Sequence, residues 1–294
     1  MSTTPRRVSR VGFVGLGNIG RPMALRLAGA GAAEGLKTVV YDVAPEPLAE
    51  LEEAGAVAAA GVGGLAADVD LVCVMVRDDD QVREVLGQVL GAARPGTVVA
   101  IHSTVAPGTP SQLADVARRH DLAVVDAPVS GGAMGAANGS LAIMVGGSVA
   151  EFEACRPALS VMGSTVVHAG PTGAGTTMKL ARNLLHFVSF TAGAEAQRLA
   201  EASGIDLVAL GEVVRRTDAV TGGPGAIMHR DTTAPLTPDD PWYPIFEHVR
   251  ALGEKDLGFA VDLAGTLDVD VPLARLALES LADGLGLRAR GEGS

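Results

Sequence analysis

Aromatic residues are scarce in this 294-residue sequence, at 3% of the total, and cysteine occurs only twice. Two isolated cysteines, Cys73 and Cys155, cannot form the disulfide framework of a small secreted protein, and no CxxC pair indicates a metal site. We interpret both as buried free thiols in a reducing compartment. With so few rings, the interior must pack through aliphatic and small side chains.

Basic residues are also few, since 23 Lys and Arg stand against 34 Asp and Glu, for a formal net charge of −11. An acidic chain without a basic stripe is a poor candidate for binding nucleic acid or an anionic membrane. No apolar run of about 18 residues predicts a transmembrane helix. Arginines near the start are followed by glycines rather than by the apolar core of a signal peptide, so we expect a cytoplasmic protein.

The sequence is rich in aliphatic residues and in glycine, which occurs 38 times. Its first 170 residues alternate apolar runs, mostly continuous rather than alternating, with helical stretches, as in parallel sheets covered on both faces. Predicted strands lie at residues 10–14, 38–41, 71–76, 97–101, 122–125, 141–145 and 165–167. Predicted helices lie at residues 19–30, 47–54, 79–90, 111–120 and 150–162. This alternation predicts an α/β fold with a doubly wound, mostly parallel sheet.

The pattern changes near residues 170–175, beyond which only helical periodicity is evident. We therefore predict two domains, an α/β domain over residues 1–170 and an all-helical domain over residues 171–294. A long helix over about residues 176–203 joins them. The helical periodicity of the second domain is interrupted at Gly204, at residues 222–225 and in the proline-rich stretch 235–244.

A glycine-rich turn follows the first predicted strand and opens the first helix. Its sequence is Gly15-Leu16-Gly17-Asn18-Ile19-Gly20, and Asp42 closes the next strand, 22 residues after the last glycine. This is the spacing of the dinucleotide-binding fingerprint, in which the glycines allow close approach of a pyrophosphate to a helix N-terminus. The segment predicts a Rossmann-type domain. Asp42 would bind the ribose hydroxyls and repel a 2′-phosphate, and Val43 follows it instead of arginine, so we expect NAD rather than NADP.

Two further segments carry candidate chemistry. Residues 126–132 read Asp-Ala-Pro-Val-Ser-Gly-Gly at the carboxyl end of a predicted strand, where they form either an ordinary turn or a backbone nest for a carboxylate. Residues 170–175 form a glycine-rich turn, and Lys179 and Asn183 follow on one helix face. Lys179 is either a solvated surface residue or, in a partly dry cleft, an acid/base whose pKa is lowered.

A Lys-Asp pair, Lys255-Asp256, opens an amphipathic segment that by itself predicts only a surface helix. Together with the dinucleotide turn, the Asp126–Gly132 segment and the Lys179–Asn183 pair, it makes the sequence resemble the β-hydroxyacid dehydrogenase family, which includes 3-hydroxyisobutyrate dehydrogenase. All four segments occur in the family's order and span nearly the whole chain.

The resemblance implies that Lys179 is the catalytic lysine and Asn183 its partner. It implies substrate contacts at Ser130, Gly131, Gly132 and Ser103, and cofactor contacts at Thr104, Lys255, Val76 and Arg77, beside the dinucleotide turn. Many relatives have Leu-Pro where this chain has Val76-Arg77, and aspartate where it has Ile101. His102 is either a core histidine, which we favour, or a substrate contact, and Trp242, Tyr243 and Phe246 form either a pocket wall or packing beneath a loop.

The sequence therefore predicts an NAD-dependent oxidoreductase that interconverts a short β-hydroxy acid and its oxo form. Its partner would be a small carboxylate or sulfonate, with no metal, in a homodimer or homotetramer. Imine reductases share the architecture but usually lack the lysine, and 6-phosphogluconate dehydrogenases are much longer. A non-catalytic, dinucleotide-sensing scaffold would have no need of Lys179 and Asn183.

Overall fold

The computed structural model describes residues 8–287 and divides the chain into two compact units, Met1–Arg182 and Asn183–Ser294. The first seven residues, which include two of the arginines weighed against a signal peptide, lie outside the described residues, as do residues 288–294. Within the described part of the chain, no helix is both long enough and apolar enough to span a membrane.

The first unit contains a mostly parallel sheet, as predicted. Its strands are β1 (Arg10–Val14), β2 (Lys37–Tyr41), β3 (Val57–Ala58), β4 (Leu71–Val74), β5 (Val98–Ile101), β6 (Ala123–Asp126), β7 (Val129–Ser130), β8 (Ala142–Gly146) and β9 (Thr165–Gly170). Their order is β3-β2-β1-β4-β5-β6-β8-β7, with β9 paired to β8. Strand β8 runs antiparallel to β6 and β7, whereas the other pairs are parallel. This topology confirms the predicted fold class.

Helices cover both faces of this sheet. They are α1 (Gly20–Ala33), α2 (Leu48–Glu53), α3 (Val62–Ala66), α4 (Asp79–Leu90), α5 (Thr109–Arg118), α6 (Gly132–Asn138) and α7 (Val149–Met162). One core lies under α1 and α7, around Leu27 and Leu159, and the other lies under α3, α4 and α5. Cys73 and Cys155 are buried free thiols, and burial raises the pKa of Cys155 to about 12.

Helix α8 (Ala174–Ala202) begins in the first unit, and the second unit continues it with α9 (Leu207–Thr221), α10 (Tyr243–Thr266) and α11 (Pro272–Gly284). Between residues 183 and 287 the structure contains helices and one 3₁₀ turn but no strand, as predicted. The small core of this unit consists of Leu236, Phe246, Ala282, Leu285 and Leu287, with Trp242 and Tyr243 packed against it. These contacts favour hydrophobic packing within this unit over a pocket wall.

A buried carboxylate caps α11. Glu195, on α8, is only 4% exposed, and it accepts hydrogen bonds from the backbone N–H groups of Leu273 at 2.8 Å and Ala274 at 2.9 Å. The residue at the N-cap position, Val271, offers no side-chain acceptor. Glu195 thus supplies from a distant part of the chain the hydrogen bonds that a local cap usually provides.

Candidate functional site

The glycine-rich turn joins β1 to α1 and leaves no room for side chains at two of its glycines. A Cβ at Gly15 would overlap the carbonyl oxygen of Met75, and Gly15 also has a positive φ of 94°. A Cβ at Gly20 would overlap the carbonyl oxygen of Gly15. Gly17 differs, since a Cβ there would meet nothing within 4 Å. The turn is thus closely packed against the sheet at its ends and open at its middle.

The open side of the turn faces a cavity of about 700 Å³ at the carboxyl ends of β1, β2 and β4. That volume is typical of a small-molecule or cofactor site. Among the predicted cofactor residues, this cavity is lined by Gly15, Gly17, Asn18, Ile19, Gly20, Asp42, Val76 and Arg77. Leu16 lines a second cavity of about 660 Å³, which shares Gly17, Asn18 and Asp42 with the first. The structure therefore brings these predicted residues together.

Asp42 stands between the two cavities and ties β2 to the glycine turn. Its carboxylate accepts hydrogen bonds from the backbone N–H of Leu16 at 2.5 Å and from that of Ala44 at 2.8 Å. Val43, which follows, is 89% exposed at the cavity wall. The open backbone at Gly17, beside a fixed carboxylate at the end of β2, fits a dinucleotide with its pyrophosphate on the turn and its ribose at Asp42.

The segment that follows β5 is held to the segment that follows β4. Ser103 is 2% exposed, and its hydroxyl donates to the carbonyl oxygen of Val76 at 2.8 Å and accepts from the N–H of Val76 at 2.9 Å. Thr104, next in the chain, is exposed. The Ser103 hydroxyl thus fixes the backbone of a cavity-lining residue, a positional role that local sequence pattern did not reveal.

His102 is buried in the first unit and is 1% exposed. Its Nδ1 lies 2.7 Å from the carbonyl oxygen of Ala127, and its ring stacks on Phe13 with 6.1 Å between the centroids. Burial lowers the pKa of His102 to about 4, so the ring is neutral near pH 7 and Nδ1–H donates to the carbonyl. Among the described residues its Nε2 has no hydrogen-bond partner. These contacts favour a core histidine.

The predicted acid-binding segment continues from β6 through β7 into α6. Ser130 ends β7, which pairs with β8, and it is half-buried. Gly131 and Gly132 follow with φ angles of 132° and 64°, and both are exposed. Two consecutive glycines with positive φ turn the backbone sharply ahead of α6. Residues with a Cβ rarely adopt this conformation.

Lys179 lies on α8, in the part of that helix that belongs to the first unit. It is 9% exposed, and none of the ion pairs among the described residues includes it. Burial lowers the pKa of Lys179, and the charge of Arg182 lowers it further. An amine with a lowered pKa can lose and regain a proton closer to neutral pH than an exposed lysine.

Asn183 and Lys255 belong to the second unit. Asn183 lies four residues after Lys179 on the same helix face and is half-buried. Lys255 lies on α10, where it is exposed and contacts Asp256 at 3.2 Å. The α10 segment is helical over Tyr243–Thr266, so the amphipathic helix predicted from the Lys-Asp segment is present.

Asp126 begins the predicted Asp126–Gly132 segment, but no role of its own was predicted for it. It ends β6, it is completely buried, and its two oxygens accept from the N–H groups of Gly173 and Thr176, each at 2.6 Å. The signal for this role in the sequence is an acid that closes an apolar strand.

Two family models together match almost all of the chain. Residues 10–170 match the one described as the NAD binding domain of 6-phosphogluconate dehydrogenase, and residues 173–292 match one described as "NAD-binding of NADP-dependent 3-hydroxyisobutyrate dehydrogenase". An uncharacterized oxidoreductase of Mycobacterium tuberculosis is 52% identical over 95% of this chain and 94% of its own length.

Two further proteins support the same relationship. The NAD-dependent L-serine dehydrogenase of Pseudomonas aeruginosa is 34% identical over 92% of this chain and 90% of its own length. A crystal structure named as that of an oxidoreductase from Mycobacterium avium 104 superposes with a TM-score of 0.92 and 51% identity over 96% of this chain and 100% of that one. The resemblance carried by the four motifs is thus confirmed, and the chain belongs to the β-hydroxyacid dehydrogenase family of NAD(P)-binding oxidoreductases.

Proposed function

We propose that this protein is an NAD-dependent dehydrogenase of a short β-hydroxy acid, with Lys179 as the general acid/base. The observation that carries the proposal is the burial of Lys179, the single lysine of residues 170–183. Its side chain belongs to a residue that is only 9% exposed, and its pKa is lowered. The dinucleotide-binding domain would span residues 1–170 and the helical domain residues 171–294, and the matched ranges 10–170 and 173–292 support this division.

The Ser130–Gly132 segment would hold the acid group of the substrate. Its hydroxyl and the backbone N–H groups of two glycines suit a carboxylate, or a sulfonate in its place. A relative named for L-serine, itself a short β-hydroxy acid, supports this substrate class. Ser103 would reach the substrate only through the segment whose backbone it fixes, because its hydroxyl is bonded to Val76.

The proton transfer follows from the state of Lys179. In oxidation the neutral amine accepts the proton of the substrate hydroxyl, and in reduction the ammonium form donates it. Asn183 would hydrogen-bond the amine or the substrate oxygen and orient it. Bound NAD(P) supplies the hydride acceptor or donor, and this chemistry is its own. Thr104, Lys255, Val76 and Arg77 would contact that cofactor beside the glycine turn and Asp42.

Steady-state assays test the proposal. Each is run with NAD and with NADP, and the substrates are 3-hydroxyisobutyrate, 3-hydroxypropionate, serine, glycerate and sulfonate analogues. We expect oxidation of at least one of these acids, measured as a rise in the absorbance of the reduced cofactor. Reduction of cyclic imines with no activity on hydroxy acids would instead support an imine reductase. Dinucleotide binding without turnover of any of these compounds would support a sensing scaffold.

Asp42 is expected to set the preference for NAD. In Asp42→Ala, the repulsion between its carboxylate and a 2′-phosphate is lost, so the ratio of kcat/KM for NADP to that for NAD should rise about 10-fold, or about 1.4 kcal/mol. Affinity for NAD should also fall, because Leu16 and Ala44 lose their acceptor. Glu84→Ala removes another acid from the same cavity wall and should leave the ratio unchanged. A wild-type enzyme that prefers NADP would contradict this role for Asp42.

We also propose that the chain assembles as a homodimer or homotetramer through its helical region. Helix α9 has no buried residue, and Val208 and Val220 are 77% and 76% exposed. On α8, Leu184, Phe187 and Phe190 are 69%, 58% and 59% exposed. Exposed apolar area of this kind usually marks an interface between proteins. Light scattering after size exclusion should give at least twice the chain mass, and Phe187→Asp should lower it, whereas a wild-type monomer would refute the proposal.

A further inference from the structure

Asp126 holds the first turn of the helix that carries Lys179. One oxygen of its carboxylate accepts from the N–H of Gly173, just before α8, and the other accepts from the N–H of Thr176, in the first turn, each at 2.6 Å. Both donors belong to the set of N–H groups that a helix start leaves without partners. Because the carboxylate is fully buried, these charge-assisted bonds and the positive end of the helix dipole must compensate for its lost hydration.

The backbone around Asp126 is packed so closely that the start of α8 has little freedom. A Cβ at Gly146, the residue that Asp126 faces across the β6–β8 ladder, would overlap the Asp126 carboxylate. A Cβ at Gly175, in the first turn of α8, would overlap the carbonyl oxygen of Met144 and lie 2.8 Å from that of Asp126. The helix therefore begins directly on the sheet, at the end of β6.

Asp126 is also joined by a short segment to the residues that would bind the substrate. Only three residues separate it from Ser130, and the carbonyl oxygen of the next residue, Ala127, accepts from His102 at 2.7 Å. One fixed point in the sheet thus governs both the helix that presents Lys179 and the segment that presents Ser130, Gly131 and Gly132.

We propose that Asp126 is a positioning residue that sets the place of Lys179 relative to the acid-binding segment. This inference rests on the proposed function, because it gives Asp126 a purpose only if Lys179 exchanges a proton with a substrate held at Ser130–Gly132. Because Asp126 is completely buried and both its oxygens bond backbone N–H groups, it would not contact the substrate itself. It acts through the backbone of α8, whose first turn it bonds to the sheet.

A purely structural role predicts a different outcome, and the chain provides a matched comparison. Glu195 is likewise a buried carboxylate that accepts two backbone N–H groups from the start of a helix, in this case α11. Glu195→Gln and Asp126→Asn each replace a carboxylate by an amide of the same shape, which retains one acceptor and opposes an NH₂ group to the second donor. Both substitutions should lower the thermal midpoint, but only Asp126→Asn should lower the part of kcat that depends on Lys179.

The first measurement is hydrogen exchange of the full-length protein. In Asp126→Asn we expect faster exchange of the backbone amides of residues 173–177 than in the wild type, and in Glu195→Gln faster exchange at the start of α11 only. Unchanged exchange over residues 173–177 would overturn the proposal. If Asp126→Asn does not fold, Asp126→Ser, which is smaller and keeps one acceptor, replaces it in both measurements.

The second measurement is a double-mutant cycle with Lys179→Ala, using a hydroxy acid that the wild type oxidises. We expect Asp126→Asn to lower kcat by about 10²-fold, as misplacement of a reacting group by about 1 Å does, with the dissociation constant for NAD changed less than about twofold. In the Lys179→Ala background the same substitution should change kcat by less than about twofold.

Additive effects in the cycle, or an equal loss of kcat in Glu195→Gln, would mean that Asp126 supports the fold in general, and the proposal would then be wrong. Failure of the proposed function is separate. It would show as a wild type that oxidises no hydroxy acid, or as a fully active Lys179→Ala, whereas the exchange over residues 173–177 still decides whether Asp126 anchors the start of α8.

Discussion

Lys179→Ala is expected to reduce the turnover of β-hydroxy acids to a small residual rate while leaving dinucleotide binding nearly intact. The substitution removes the group that takes the hydroxyl proton, and the loss of a positioned acid/base typically lowers kcat by about 10² to 10⁴-fold. The cavity beside the glycine turn does not include Lys179 in its lining, so the dissociation constant for NAD should change little. Stopped-flow or steady-state rates and fluorescence titration with NAD measure the two quantities.

The pH dependence of the same reaction tests the role of the amine more directly. Because burial lowers the pKa of Lys179, oxidation by the wild type should rise with pH through a midpoint below the ordinary pKa of lysine, as the amine becomes neutral. Reduction should fall with pH through the same group, since it needs the ammonium form. Lys179→Arg keeps the charge but cannot lose a proton in this range, so it should be as inactive as Lys179→Ala.

Lys37→Ala provides the matched control, because Lys37 is exposed on β2 and lies outside both cavities. It should match the wild type in kcat and in its pH profile. Full activity in Lys179→Ala, or a pH profile of the wild type that Lys179→Arg reproduces, would remove Lys179 from the proton transfer.

The fold was predictable where a strand is long, apolar and buried. Strand β1 and helix α4 begin and end at the predicted residues, because Arg10–Val14 is bounded by the glycine turn and Asp78 caps α4. The sequence pattern did not reveal β3 and β7, each two residues long, or the short helices α3 and α6. A two-residue strand has no periodicity, and α6 contains glycines that disfavour a helix, so tertiary contacts determine both.

The candidate site was predictable where its residues are neighbours in the sequence, as in the glycine turn. Asp126 could not be given its role this way, because its hydrogen-bond donors lie 47 and 50 residues further along the chain. The contact of Ser103 with Val76 spans 27 residues and was hidden for the same reason. Local pattern identifies which residue types carry chemistry, whereas pairing across the sheet decides which of them hold others in place.

Gly17→Val is expected to abolish dinucleotide binding without disturbing the fold. A Cβ at Gly17 meets no protein atom within 4 Å, and the backbone there is not among those with a positive φ, so a side chain at this position starts into open space. Its side chain would instead occupy the side of the turn that faces both cavities, where a pyrophosphate must approach the backbone. The dissociation constant for NAD should rise at least about 100-fold, or about 2.8 kcal/mol, by calorimetry.

Gly29→Val is the matched control for this substitution. Gly29 lies on α1, which the glycine turn opens, and it is exposed with nothing within 4 Å of its Cβ position. Valine is a slightly better helix former than glycine, so this variant should retain its thermal midpoint and bind NAD as the wild type does. If Gly17→Val keeps both its thermal midpoint and its affinity for NAD, the pyrophosphate does not lie against this turn. Loss of affinity in Gly17→Val alone, with the thermal midpoints of both variants unchanged, would support the turn as the place where the dinucleotide binds.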